Sequence, residues 1–97
     1  MTQYRFTAAA LTELRQAIFY YEQRENGLGA AFLDEVEDTL NRILRHPTAW
    51  HPLSSRTRRC RTHRFPFGLS YQIFTDEILV VSVMDLRRDP TRWKDLL

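Results

Sequence analysis

Near the N-terminus, Gln3, Arg5 and Thr7 alternate with Tyr4 and Phe6, and a period of two is the mark of a short first strand. Thr7 is then placed to cap a helix, because its hydroxyl can accept from the unpaired N–H groups of a first turn. From there Leu11, Leu14, Ile18 and Tyr21 recur at spacings of three and four, which predicts an amphipathic helix running to about Arg24 and ended by Asn26-Gly27. A second helix is predicted after Gly29. Phe32, Val36, Leu40 and Ile43 form its apolar stripe, Glu35, Asp38 and Arg42 lie mostly away from it, and Pro47 stops it. A link as short as Glu25 to Gly29 leaves two such helices only an antiparallel hairpin.

A proline-bearing loop, His46 to Leu53, leads into three strand-like segments: Thr57 to Arg64, Leu69 to Phe74 and Ile78 to Met84. Pro66-Phe67-Gly68 and Thr75-Asp76-Glu77 separate them, lengths that suit hairpin turns, so an antiparallel meander is predicted. Ile78 to Val83 is apolar at nearly every position, as an interior strand covered on both faces is. In the first segment Arg58, Cys60, Thr62 and Arg64 alternate with Thr57, Arg59, Arg61 and His63. It has little to bury and is expected at an edge or with one face open. The order β-α-α-β-β-β, followed by a short tail from Asp89 to Leu97, predicts an α+β fold. In it the helical hairpin packs on one face of a small, mainly antiparallel twisted sheet.

Composition narrows the class. Ninety-seven residues suffice for one core and not for two, so residues 1–97 are expected to form one domain. Hydrophobic residues at 43% and charged residues at 27% argue for a packed core and against a disordered chain. The longest apolar run, Ile78 to Met84 with Ser82 inside it, falls well short of the ~18 residues that a membrane span needs, and no export signal is visible. With Cys60 the single cysteine, an internal disulfide is excluded, and the cytoplasm is the expected compartment.

Net charge is +2 but uneven: residues 1–55 hold five arginines against seven acids, and residues 56–97 hold eight arginines and a lysine against five acids. Thirteen of the fourteen cations are arginine, suited to bidentate contact with carboxylate or phosphate, although a biased coding composition gives the same excess. His46, His51 and His63 lack the short spacing of zinc ligands, and all three glycines sit in turns instead of a phosphate-binding loop. Neither a metal nor a cofactor is expected.

One set of segments goes further. Ala10-Leu11-Thr12-Glu13-Leu14 and Tyr20-Tyr21 fall in the first helix, Ala31-Phe32 opens the second and His46-Pro47 closes it. Arg64-Phe65-Pro66-Phe67 leads into Leu69-Ser70-Tyr71-Gln72-Ile73, and Val83-Met84-Asp85-Leu86-Arg87-Arg88-Asp89-Pro90 is followed by Trp93. In this order and spacing the chain resembles the RelE/ParE toxin superfamily over nearly its whole length, closer to the ParE branch. Each piece also has a plain structural meaning: Phe65, Phe67 and Tyr71 suit a core, Pro66 a turn, and Trp93 a terminal anchor.

The resemblance implies the toxin of a bacterial type II toxin–antitoxin system, of the kind that serves plasmid stabilization. The ParE branch inhibits DNA gyrase and is neutralised by a cognate antitoxin. Target contact is expected on Arg87, Arg88, Arg92 and Trp93, since arginine and tryptophan are enriched at interface hot spots. Antitoxin contact is expected on Arg58, Arg59 and Arg61 and on the hairpin at Leu14 and Ile18, where an acidic tail could add a strand or seat a helix. Both a homodimer and a heterotetramer with the antitoxin stay open.

The RelE branch instead cleaves messenger RNA on the ribosome, which needs a base for the 2′-hydroxyl, cations for the phosphorane and a proton donor. Here Asp85 stands where that branch has a His or Arg, and no tyrosine follows Tyr71. Arg59, Arg61 and His63, expected on one strand face, are the set left for such a nuclease. A non-catalytic toxin is therefore expected.

Overall fold

The computed structural model describes residues 3–88. The first strand, β1 (Gln3–Phe6), leads into helix α1 (Ala8–Arg24) through Thr7, whose Oγ1 accepts from the Ala10 N–H at 3.1 Å. The buried stripe of α1 is Ala10, Leu14, Ala17 and Tyr21. Leu11 and Ile18, predicted on that stripe, are half-buried flanks, because the small Ala10 and Ala17 let the helix settle closer to the sheet.

Helix α2 (Leu28–Arg45) starts two residues earlier than predicted. Gly27 precedes it in the left-handed region at φ 87°, which favours glycine, and no side chain of its own caps the helix. The missing acceptor comes from α1: Glu22 accepts from Gly27 N at 3.1 Å and from Gly29 N at 3.0 Å. Gly29 also marks the closest crossing of the hairpin, since a Cβ there would stand 2.8 Å from the Ile18 carbonyl oxygen. Phe32, Val36, Leu40 and Ile43 are buried as predicted, but so is Glu35, with 8% of its surface exposed.

Among the described residues the sheet has five strands in the order β1-β5-β4-β3-β2, where β2 is His51–Pro52, β3 Thr57–Arg61, β4 Phe67–Ile73 and β5 Glu77–Asp85. Among these strands, β1 pairs with β5 in parallel and the other neighbours are antiparallel. Strand β2 lies in the segment predicted as loop and takes the edge position from β3, where a proline costs no ladder bond. Strand β3 ends at Arg61, three residues early, and it does bury a face: Cys60 lies in the core, and Thr62, just past the strand, is buried too.

Strand β5 is interior, as predicted, but covered on one face only among the described residues. Leu79 and Val81 stay half-exposed on the side away from the helices. The pairing with β4 jumps from Ser70–Ser82 to Tyr71–Val80, and this bulge at Val81 turns both Val80 and Val83 inward.

Core packing centres on Tyr21, Phe32, Phe65 and Phe67, whose ring centroids lie 4.8–6.0 Å apart in mostly edge-on contacts. Farther down, the Tyr71 hydroxyl donates to the Pro47 carbonyl and ties the loop after α2 to β4. Burial pushes the Tyr71 pKa up to about 12 from 10.0.

Two outcomes are expected. Gly29→Ala should lower the urea-unfolding free energy by about 1–3 kcal/mol, because a backbone oxygen blocks the new methyl; an unchanged midpoint would show that the crossing yields freely. Tyr71 binds its proton more tightly folded than unfolded, so its contribution is full below pH 10 and is lost as pH rises toward 12. Tyr71→Phe should therefore flatten the alkaline fall of stability in thermal unfolding across that window.

Candidate functional site

Strand β5 outruns β1, whose pairing stops at Phe6–Val80. Beyond that point α1 supplies the missing partner, with Glu13 Oε1 accepting from the Val83 N–H at 2.9 Å. The mismatch leaves a cleft of about 400 Å³ between α1 and the end of β5, lined by Gln16, Ala17, Tyr20, Met84, Arg87 and Arg88 among others. A 3₁₀ turn, Leu86–Arg88, closes its upper end.

Asp85 organises that turn. Its carboxylate accepts from the Arg87 backbone N–H at 3.0 Å, from Arg87 Nε at 3.0 Å and from Arg87 Nη2 at 2.8 Å. The Arg87 side-chain bonds, outweighing burial, hold the Asp85 pKa below its usual value, and Asp85 in turn raises that of Arg87. Both are charged at neutral pH. Arg88 is exposed and makes no ion pair among the described residues. On the adjoining face of α1, Phe19 is 65% and Tyr20 42% exposed, and Arg24 stacks 5.2 Å from the Tyr20 ring. Arginine beside exposed aromatics is the chemistry of a protein-binding surface. Arg92 and Trp93, expected in the same site, lie outside the described residues.

The second predicted cluster divides. Arg59 and Arg61 pair opposite Ser70 and Gly68 and so point away from the helices. The stem of Arg59 lies across Gly68, where a Cβ would meet Arg59 Cδ at 2.8 Å. Arg58 turns toward the helices, half-buried, and donates to the Trp50 carbonyl at 2.9 Å. His63 lies past the end of β3, its Nδ1 4.0 Å from both Glu35 Oε2 and Asp38 Oδ2 of α2. Arg59, Arg61 and His63 therefore do not share a strand face, because the chain turns at Thr62, whose hydroxyl donates to the Phe65 and Phe67 carbonyls. Leu14 is core, 7% exposed, and Ile18 is half-buried beside the hairpin crossing. A partner would meet their neighbours and not Leu14 itself.

Glu35, Asp38 and His63 bring ligand-type atoms within 4.8 Å of one another. Their charge is already answered: Arg64 Nε stands 3.5 Å from Glu35 and Arg42 Nε 3.8 Å from Asp38. Glu35 Oε1 also accepts from the Arg64 backbone N–H at 2.9 Å. Burial pushes the Glu35 pKa up, but hydrogen bonds from the Arg64 and His63 backbone outweigh it and the net shift is downward. The group ties the β3–β4 turn to α2. Sequence periodicity missed Glu35 because it flanks the apolar stripe, and only the distant turn gives it a reason to be buried.

The sequence model of the family described as the ParE toxin of the type II toxin-antitoxin system, parDE, matches residues 4–90. A solved chain of the chromosomal ParDE TA system from P. aeruginosa has the same fold, with a TM-score of 0.70 at 15% identity over 89% of this chain and 97% of that one. No curated protein sequence matches.

Because the folded-state pKa of Glu35 lies below its ordinary 4.5, its contribution to stability is present above that value and lost as pH falls through the folded pKa. Glu35→Gln should unfold more easily at pH 7 yet lose less stability between pH 5 and 3, read by urea titrations along the acid limb. Parallel pH profiles of variant and parent would contradict this role.

Proposed function

We propose that this chain, which belongs to the ParE toxin family of type II toxin–antitoxin systems, is a non-catalytic toxin that inhibits DNA gyrase and is neutralised by a cognate antitoxin. The observation that carries the reading is the separation of the best nuclease-like set among the described residues. Cutting RNA requires a base, cations and a proton donor on one phosphate. Arg59 and Arg61 face away from the helices, while His63 faces the carboxylates of α2. Tyr71, which could have donated a proton, is buried with its hydroxyl on Pro47. The ionised Asp85, its carboxylate taken up by Arg87, has no proton to give a leaving oxygen at the end of β5.

What the same end of the sheet offers is contact. Arg88 is open, Arg87 is held rigid by Asp85, and Phe19 and Tyr20 add exposed aromatic area nearby. Gyrase is proposed to dock on Arg87 and Arg88. The antitoxin is proposed to use the open sheet face at Arg59 and Arg61, where an acidic segment gains from complementary charge.

Purified protein should block gyrase supercoiling and trap cleaved DNA, and Arg87→Ala with Arg88→Ala together should weaken inhibition by roughly tenfold or more. Intact supercoiling at saturating protein would remove the gyrase reading. Message cleavage on translating ribosomes, abolished by His63→Ala, would favour an mRNA endoribonuclease in its place.

A further inference from the structure

The opposite end of the sheet carries a second recess, of about 450 Å³, between the β2–β3 turn and the end of β4. Its lining includes Ser54, Arg56, Arg58, Gln72, Ile73 and Phe74, and none of the lining residues is acidic. The first cleft differs in this respect, since Glu13 and Asp85 stand there against Arg87 and Arg88. The sequence has the same bias on a longer scale. Residues 39–75 hold seven arginines and three histidines but no aspartate or glutamate. The fold consumes two of those arginines, Arg42 and Arg64, in pairing with Asp38 and Glu35.

Arg56 and Arg58 are not consumed in this way. Arg56 is exposed and has no ion-pair partner among the described residues. Arg58 places Nη1 on the Trp50 carbonyl at 2.9 Å and keeps its other donors. The turn that presents them is held in shape by Ser54, whose Oγ accepts from the Arg56 and Thr57 N–H groups at 3.2 Å, leaving its own proton to donate. Beside them Ile73 is 38% and Phe74 49% exposed, an uncovered apolar surface at the end of a sheet. Glu77, across the β4–β5 turn, is engaged by Arg5 at 2.8 Å, which leaves Asp76 as the one unengaged acid of that turn.

Guanidinium and hydroxyl donors without a carboxylate among them suit a phosphodiester, and an exposed ring next to them suits a stacked base. We propose that this recess binds single-stranded nucleic acid, with Arg56 and Arg58 on a backbone phosphate and Phe74 under an unpaired base. A carboxylate-bearing peptide would satisfy the arginines equally, but it gives the exposed ring no comparable partner. The inference does not rest on gyrase being the target.

The test is fluorescence anisotropy with a labelled oligothymidylate of about 12 nucleotides, within the length such sites track, at several salt concentrations. Arg56→Glu should raise Kd about tenfold or more and reduce the salt slope, and Phe74→Ala should raise it about fivefold. Arg15→Glu changes net charge equally on the exposed side of α1 and should have a much smaller effect. Far-ultraviolet circular dichroism and the thermal midpoint confirm that each variant folds. Equal losses for Arg56→Glu and Arg15→Glu would overturn the proposal in favour of diffuse charge. So would displacement of the oligonucleotide by a polyglutamate peptide at matched charge, or binding that Phe74→Ala leaves unchanged.

Discussion

The packing of Tyr21, Phe32, Phe65 and Phe67 is the contact on which the other arrangements depend, because α1, α2, the β3–β4 turn and β4 each contribute one ring. Edge-on aromatic pairs of this kind add about 0.5–1.5 kcal/mol each beyond the area they bury, so the junction is a strong point in a small core. It also sets position. With Tyr21 fixed against Phe65 and Phe67, the last turns of α1 must lie beside the end of β5. That proximity opens the cleft and places Tyr20 next to Arg87 on its wall. Burial raises the Tyr21 pKa while Arg87 opposes the rise, a sign that the cation and the aromatic junction share one environment.

Among the described residues the hairpin covers a single face of the sheet, and this decides what each arginine can do. Alternation along β3 sends Cys60 into the core and Arg59 and Arg61 outward. When the strand ends, His63 folds back over α2 to join Glu35 and Asp38. Residues two apart in sequence thus serve different surfaces. Arg88 and the β2–β3 turn lie exposed at opposite ends of the sheet. Glu22 and Glu13, by contrast, are spent inside the fold, one on the start of α2 and the other on the unpaired edge of β5.

Much of this was readable from local pattern. The apolar stripe of α2, the Thr7 cap, the meander and the interior place of β5 follow from periodicity and turn chemistry, which act over a few residues. What escaped depends on residues far apart. The two alanines at positions 10 and 17 outrank Leu11 and Ile18 on the core face because α1 must sit close to the sheet. Glu35 is buried because the Arg64 N–H lies 29 positions away in sequence and needs an acceptor. Strand β2 exists because β3 has an unpaired edge, which no property of His51 or Pro52 announces. The bulge at Val81 shifts the inward face of β5 by one residue, a change that alternation alone does not reveal. Among the site residues, the grouping of Arg59 with Arg61 was legible, while the departure of His63 required the turn at Thr62.

The proposed mode of action is binding through the end of β5 and the adjoining face of α1. Hydrogen–deuterium exchange of the chain with and without purified gyrase reads that contact directly, residue range by residue range. Docking there predicts slowed exchange over residues 83–88 and along 13–20, with the β3–β4 turn unchanged. Protection confined to β3 and the turn at His63, with the end of β5 exchanging as in the free protein, would contradict it.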